Sequence, residues 1–184
     1  MKRTFYILLS VVFMATSAFA QEVPAPEEAE AIKHEKYDEN KLGAHIGAIQ
    51  PIVIFSGSST SVMGSDFYTI GFPMGITVKP CDKLFFDMEF VPFFTPGDSV
   101  TAHKVDLLVH PGVLFPLGGG FTFGLRGAFE IGNGQVGFTP LLNKAFPLKG
   151  GGAFFTELVL PMRFGPMPNS DFVNIIGLHV GYGF

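Results

Sequence analysis

The last eleven residues, Asn174–Phe184, read NIIGLHVGYGF. Counted back from the end, every second one is apolar: Phe184, Tyr182, Val180, Leu178 and Ile176. Alternate side chains of an extended chain point to opposite faces, so these residues make one uninterrupted apolar face. Between them stand Gly183, Gly181, His179 and Gly177, small or polar, with Ile175 the exception. That second face does not look like a protein core. A uniformly apolar stripe backed by a polar one suggests a β-barrel strand whose outside meets lipid.

The other end of the chain points the same way. Residues 1–20 carry Lys2 and Arg3, then an apolar run from Tyr6 to Met14, then Ala18-Phe19-Ala20 before Gln21. This is the pattern of a cleavable secretory signal, with the mature protein starting at Gln21. The apolar run is too short for a membrane-spanning helix of about 20 residues, and no later stretch supplies one. No Cys follows the cleavage site, so a lipid anchor is not expected there. Cys81 is the single cysteine, which excludes an internal disulfide and leaves no metal or redox motif; no cofactor and no metal site are expected.

Composition narrows the class. The chain is 47% hydrophobic with a mean hydropathy of +0.37, yet only 15% charged. A water-soluble domain is about 25% charged, so much of this surface is expected to lie away from water. Gln21–Asn40 holds seven of the 16 acids and little apolar material, which reads as a flexible acidic periplasmic tail over residues 21–41. Lys2 and Arg3 leave with the signal, so ten bases face 16 acids and the net charge becomes −6. Nothing favours nucleic acid as a partner.

Residues 42–184 form one domain of alternating segments. The expected strands are Leu42–Phe55, Phe67–Lys79, Leu84–Phe94, Lys104–Phe115, Phe121–Gly132, Val136–Leu148, Phe154–Phe164 and the terminal one. The first puts Leu42, Ala44, Ile46, Ala48, Ile52 and Ile54 on one face. The sixth is less regular, because Lys144 falls on its apolar face. Tight Gly- or Pro-bearing connections at Pro80–Lys83, Leu117–Gly120 and Lys149–Gly152 fit periplasmic turns. Longer ones at Ser56–Asp66, Thr95–His103 and Gly165–Asp171 fit outer loops. Lipid cannot satisfy an exposed strand edge, so the sheet is expected to close. The fold class is all-β: a closed antiparallel up-and-down transmembrane β-barrel of eight strands.

Energy sets the register. A one-residue slip would turn Asp87, Glu89, Asp106, Arg126, Glu130, Glu157 and Arg163 outward. A basic side chain at the bilayer midplane costs about 2–4 kcal/mol, so several together would exceed an ordinary domain's stability. Pro51, Pro73, Pro92, Pro111, Pro140 and Pro161 resist this picture, since proline removes a ladder donor. Local bulges are the expected remedy, and division of some strands into shorter pieces is the alternative.

These features resemble the small eight-stranded outer-membrane proteins of Gram-negative bacteria, the group of the outer-membrane protein A membrane domain and the X and W proteins. The resemblance covers about Leu42 to Phe184 and rests on strand number, parity and ending. It implies that the barrel assembly machinery reads Ile176, Leu178, Val180, Tyr182 and Phe184, and that the chain is a monomer in outer-membrane lipid. Two departures stand out: the absence of Trp for interfacial girdles, and the prolines inside strands.

The inner face is where chemistry can sit. Counted from the periplasmic ends, His45, Glu89, His110, Arg126, Glu157 and His179 are expected at similar depth and Asp106, Glu130 and Arg163 higher, with Asp87 in the same inward-facing polar network. His179 is expected beside Glu157 on one neighbour and, if the first and last strands pair, beside His45 on the other. An ion-paired plug with a structural envelope role is the leading reading. A narrow conducting lumen comes next, and a metal site on the histidines last. No enzyme is expected, because the serines cluster at Ser56–Ser65, Ser99 and Ser170, away from any His on a strand face. A soluble periplasmic barrel that binds an apolar ligand is the rival of another class; it would invert the parity.

Overall fold

The computed structural model describes residues 42–96, 104–132, 134–165 and 172–184. The expected signal, the acidic tail and most of the connections at Thr95–His103 and Gly165–Asp171 lie outside the described residues. Eight antiparallel strands run in chain order: β1 (Leu42–Ser56), β2 (Ile70–Gly71 and Met74–Cys81), β3 (Leu84–Thr95), β4 (Lys104–Gly118), β5 (Phe121–Ile131), β6 (Val136–Pro147), β7 (Ala153–Val159 and Met162–Phe164) and β8 (Phe172–Gly183). Each pairs with the next, and β8 returns to β1 from His45↔Gly183 to Ser56↔Val173. The closed ring leaves no sheet edge, as the terminal strand's pattern led one to expect.

Parity follows the alternation. Phe86, Met88 and Phe90 on β3, Phe123, Leu125 and Phe129 on β5, and Leu178 and Val180 on β8 are exposed on the outside. Side chains of the other parity face the lumen, buried or half-buried. Lys144, on the outer face of β6, sits near the turn that ends β4. Its ammonium stands 4.2 Å from the Phe121 ring centroid and bonds the Gly119 carbonyl, so its charge is carried to the rim.

The prolines are accommodated in three ways rather than one. Of the six expected inside strands, Pro51 alone sits at a bulge, where the β1–β8 register shifts between Pro51 and Val53; two more shifts, at Val78/Cys81 and Pro116/Gly118, stand beside the tight turns. One extra residue inverts parity beyond Pro51: Ile54, expected outside, lines the lumen, and Phe55 takes the outer face. β2 breaks at Phe72-Pro73 and β7 at Leu160-Pro161, with the register unchanged on either side. The reason is visible in the bonds that survive. Phe72 N–H donates to the Pro92 carbonyl (3.0 Å) and Leu160 N–H to the Pro140 carbonyl (3.0 Å). Likewise Gly47 N–H donates to the Pro73 carbonyl (2.9 Å) and Ile175 N–H to the Pro161 carbonyl (2.8 Å). In each pair proline returns no donor, so one bond stands where an antiparallel pair exchanges two. Pro111 leaves the β3–β4 ladder continuous opposite Met88, while the β4–β5 pairing skips His110 and Pro111.

The connection expected as an open loop at Ser56–Asp66 is partly a hairpin. A short strand, Ser59–Val62, folds back on the end of β1, with Ser56↔Ser59 to Val53↔Val62 in register. Gly57, at φ +58°, turns the chain there.

Candidate functional site

The site follows from lateral rows of the sheet. One row runs His45↔Gly75↔Glu89↔His110 across β1 to β4. A second runs Thr77↔Asp87↔Gly112↔Arg126↔Thr139 across β2 to β6. A third runs Asn143↔Glu157↔His179 across β6 to β8. The two central glycines act as saddles. A Cβ at Gly75 would stand 2.4 Å from His45 Cε1, and one at Gly112 2.6 Å from Arg126 Cγ. Without those Cβ atoms, His45 and Arg126 cross a whole strand to reach acids on β3.

The contacts form one cluster. His45 Nε2 lies 3.1 Å from Glu89 Oε2, and His110 Nδ1 lies 3.1 Å from Glu89 Oε1. Arg126 donates from Nε to Asp87 Oδ2 at 2.8 Å and from Nη1 to Glu157 Oε2 at 3.2 Å, with Glu89 Oε2 3.5 Å away. His179 Nδ1 lies 2.8 Å from Glu157 Oε2. Thr77 donates to Asp87 Oδ1 (2.8 Å), and Asn143 to Glu157 Oε1 (3.1 Å). Buried acids thus meet donors on both oxygens, as low-dielectric surroundings require.

Arg163 reaches this cluster from the far end. Its Nη2 lies 3.2 Å from His110 Nε2, and its Nη1 donates to Thr139 Oγ1 and to the carbonyls of Phe138 and Met162. A guanidinium only donates, so His110 Nε2 accepts and its Nδ1–H is the proton given to Glu89. The structure therefore joins eight of the ten predicted lumen residues, Arg163 included. Asp106 and Glu130 line the wall of a far-end cavity of about 260 Å³ that Arg163 also lines.

One neighbour differs from expectation. His179 is in register with Ile49 rather than His45. Its ring leans over Gly47, where a Cβ would meet Nε2 at 2.5 Å, and so comes to a centroid distance of 6.4 Å from His45. Phe155 packs edge-on against both rings, at 5.9 and 4.9 Å. His179 Nε2 is buried with no hydrogen-bond partner.

Sequence reasoning missed Thr139, Asn143 and Phe155, and the apolar layer of Ile49, Val91, Leu108, Ala128, Leu141 and Val159. Their signal was parity: each lies on the same inward alternation as a charged residue of its own strand or its neighbour. At the terminal end a cavity of about 410 Å³ is lined by His45, Asp87, Arg126 and Glu157. Glu89 and His179 (each 0% exposed) and Thr139 (1%) lie between the two cavities. Among the assembly-signal residues, Leu178 and Val180 are on the outer face, and the Tyr182 ring stacks on Phe184 at 6.1 Å.

No protein-family model matches the chain, and no curated protein matches it. Solved structures do. The chain is similar to Ail, the attachment invasion locus protein of Yersinia pestis, at 14% identity and a TM-score of 0.42, over 78% of this chain and 97% of that one. It is also similar to the outer membrane protein AlkL, determined in lipid bilayers, at 9% identity and a TM-score of 0.46, over 90% and 96% of the two chains. A third similarity is to the outer membrane protein OprG from Pseudomonas aeruginosa, at 13% identity and a TM-score of 0.37, over 78% and 95%.

Proposed function

We propose that this chain is an integral outer-membrane β-barrel of the Gram-negative envelope, with a structural role and a lumen plugged by its own side chains. The observation that carries the plug is the burial of Glu89, His110 and His179 between the two cavities, behind Arg126, which is buried in the wall of one of them. Breaking one of their contacts would leave a charge without water, so the cluster resists opening. Membrane placement is supported by the exposed apolar face on all sides of a closed barrel and by the secretory signal in residues 1–20. A soluble barrel that binds an apolar ligand would need that face turned inward. Outer-membrane lipid is then the surrounding partner, the last five alternate residues serve the assembly machinery, and the chain works as a monomer. Thr139 Oγ1 lies 3.3 Å from His110 Nε2, with Glu89 behind, but its near-complete burial leaves a substrate no approach, so we assign no catalysis.

The second reading is a narrow pore, favoured by the cavities of about 410 and 260 Å³ that approach the cluster from opposite ends. Planar-bilayer recording separates the two. The plug predicts no discrete current from the wild type and steps on Glu89→Gln or Arg126→Met. Steady single-channel conductance from the wild type would replace the plug with the pore. Recovery of the protein in the soluble periplasmic fraction would sink both.

A further inference from the structure

We propose that His45, Asp87 and Glu89 form a binding site for a divalent transition-metal cation, with zinc the ion their mixed nitrogen and oxygen donors suit. The proposal depends on the lumen's geometry and not on where the barrel resides. One donor atom from each residue lies within 4.8 Å of the others, and all three are buried. Asp87 and Glu89 sit two apart on the inner face of β3, and His45 arrives over the Gly75 saddle.

The second oxygen of each carboxylate is held elsewhere, which aims the first at His45; Asp87 Oδ1 also accepts from Thr77 Oγ1 at 2.8 Å, a bond an ion would share. Asp87 Oδ2 is held by Arg126 Nε at 2.8 Å, and Glu89 Oε1 by His110 Nδ1 at 3.1 Å. Asp87 Oδ1 and Glu89 Oε2 are thereby turned towards His45, whose Nδ1 and Nε2 lie 4.0 and 3.1 Å from them. Outer partners that orient ligands in this way are a regular feature of metal sites. Zinc bonds of about 2.0–2.2 Å put tetrahedral donors roughly 3.4 Å apart, so donors that lie within 4.8 Å, with one nitrogen of His45 as ligand, need close by no more than about 1.4 Å.

Charge favours an occupant. Asp87, Glu89 and Glu157 face the single guanidinium of Arg126, while Arg163 bonds only neutral groups of the cluster. With the three histidines neutral, as a metal ligand must be, the acids outnumber that guanidinium by two, and one divalent cation cancels the difference. It competes with the long 3.5 Å contact from Arg126 to Glu89 and spares the short one to Asp87. His45 and Asp87 also wall the terminal-end cavity, which gives an ion its path and water for the last coordination position.

The test is calorimetric titration of the refolded barrel, free of any His tag, with zinc chloride and with calcium chloride as the oxygen-seeking control. Cobalt(II) absorption provides a second readout of four-coordinate geometry. One zinc per chain is expected, with no calcium saturation. His45→Gln and Asp87→Asn should abolish binding, and His110→Gln, which removes the imidazole that orients Glu89 but no ligand, should weaken it about 10–100-fold. Heat-modifiable gel migration shows which variants are folded, and the wild-type cobalt spectrum decides if none is. A wild type that does not saturate with zinc, or zinc binding unchanged in folded His45→Gln, would overturn the site. Neither outcome bears on membrane placement, which extraction tests separately.

Discussion

The barrel's terminal end and its far end obey the same alternation and use it differently. Towards the termini the rows through His45, Asp87 and Arg126 are unbroken, and charged side chains cross glycine saddles to meet acids two strands away. Towards the far end, β1 bulges, β2 and β7 break, and the lumen holds Ile49, Val91, Leu108 and Val159. The contrast has a physical reason. A charge network tolerates little error in register, because each member is buried and needs its partner within hydrogen-bond reach. An apolar layer makes no directional bonds, so its walls can carry prolines that each remove one ladder donor. Regular pairing is kept where precision is needed and relaxed where it is not.

Replacing the guanidinium in each half should expose that difference most strongly. Arg126→Met leaves Asp87, Glu89 and Glu157 buried against no cation but histidine, and should cost about 3–5 kcal/mol. Arg163→Met removes hydrogen bonds to two carbonyls, Thr139 and His110, and should cost about 1–3 kcal/mol. Urea unfolding in lipid vesicles, followed by gel migration, measures both. Equal losses would mean that Arg126 is not the keystone the terminal-end geometry makes it.

The same contrast explains how far the residues could be read without coordinates. Strand number, closure and inward parity were legible because lipid-facing and lumen-facing side chains alternate with a strict period of two, and Phe184 back to Ile176 displays it without a gap. All eight charged or imidazole groups of the cluster share inward parity, so their meeting was legible as well. Their partners' choice was not. That Arg126 bonds Asp87 rather than only its nearer neighbours depends on Gly112, and a glycine in a strand does not announce which side chain will pass over it. The position of Ile54 was hidden for another reason: proline signals an irregularity but not whether a bulge, a break or a ladder kept whole on one side absorbs it. Pro51, Pro73 and Pro111 take the three different courses.

Glycine replacement sharpens the comparison on a smaller scale. Gly75→Ala would set a Cβ 2.4 Å from His45 Cε1 and 2.9 Å from the Met88 carbonyl, displacing the imidazole that bonds Glu89. At Gly71→Ala, nearer the far end, the three nearest atoms are all side-chain atoms: Ile49 Cγ2 at 2.6 Å, Phe93 Cε1 at 2.8 Å and Val91 Cγ1 at 2.8 Å. Each should cost about 1–3 kcal/mol of stability. The distinction lies in a double-mutant cycle. His45→Ala empties the space over Gly75, so Gly75→Ala should be relieved in its presence by about 0.5–3 kcal/mol, whereas Gly71→Ala should add independently. Additivity in both pairs would show that His45 does not rest on Gly75.

The smallest effect expected is at Pro92, and it probes why the far end tolerates its prolines. Phe72 N–H already donates to the Pro92 carbonyl, and the reverse bond is missing because proline has no donor. Pro92→Ala restores that N–H opposite the Phe72 carbonyl, a gain of about 0.5–1.5 kcal/mol where the bond forms. It also frees the unfolded chain, which costs about 0.4–1 kcal/mol. The two nearly cancel, so stability should move by less than about 1 kcal/mol. Hydrogen exchange on the Pro92→Ala variant should still find the newly introduced amide protected, with the break in β2 at least partly healed. An amide that exchanges freely would mean that Phe72-Pro73 holds the gap open by itself. A loss above about 2 kcal/mol would mean that the Pro92 ring packs against something the ladder does not account for, and the far end would then be built around its prolines rather than merely tolerant of them.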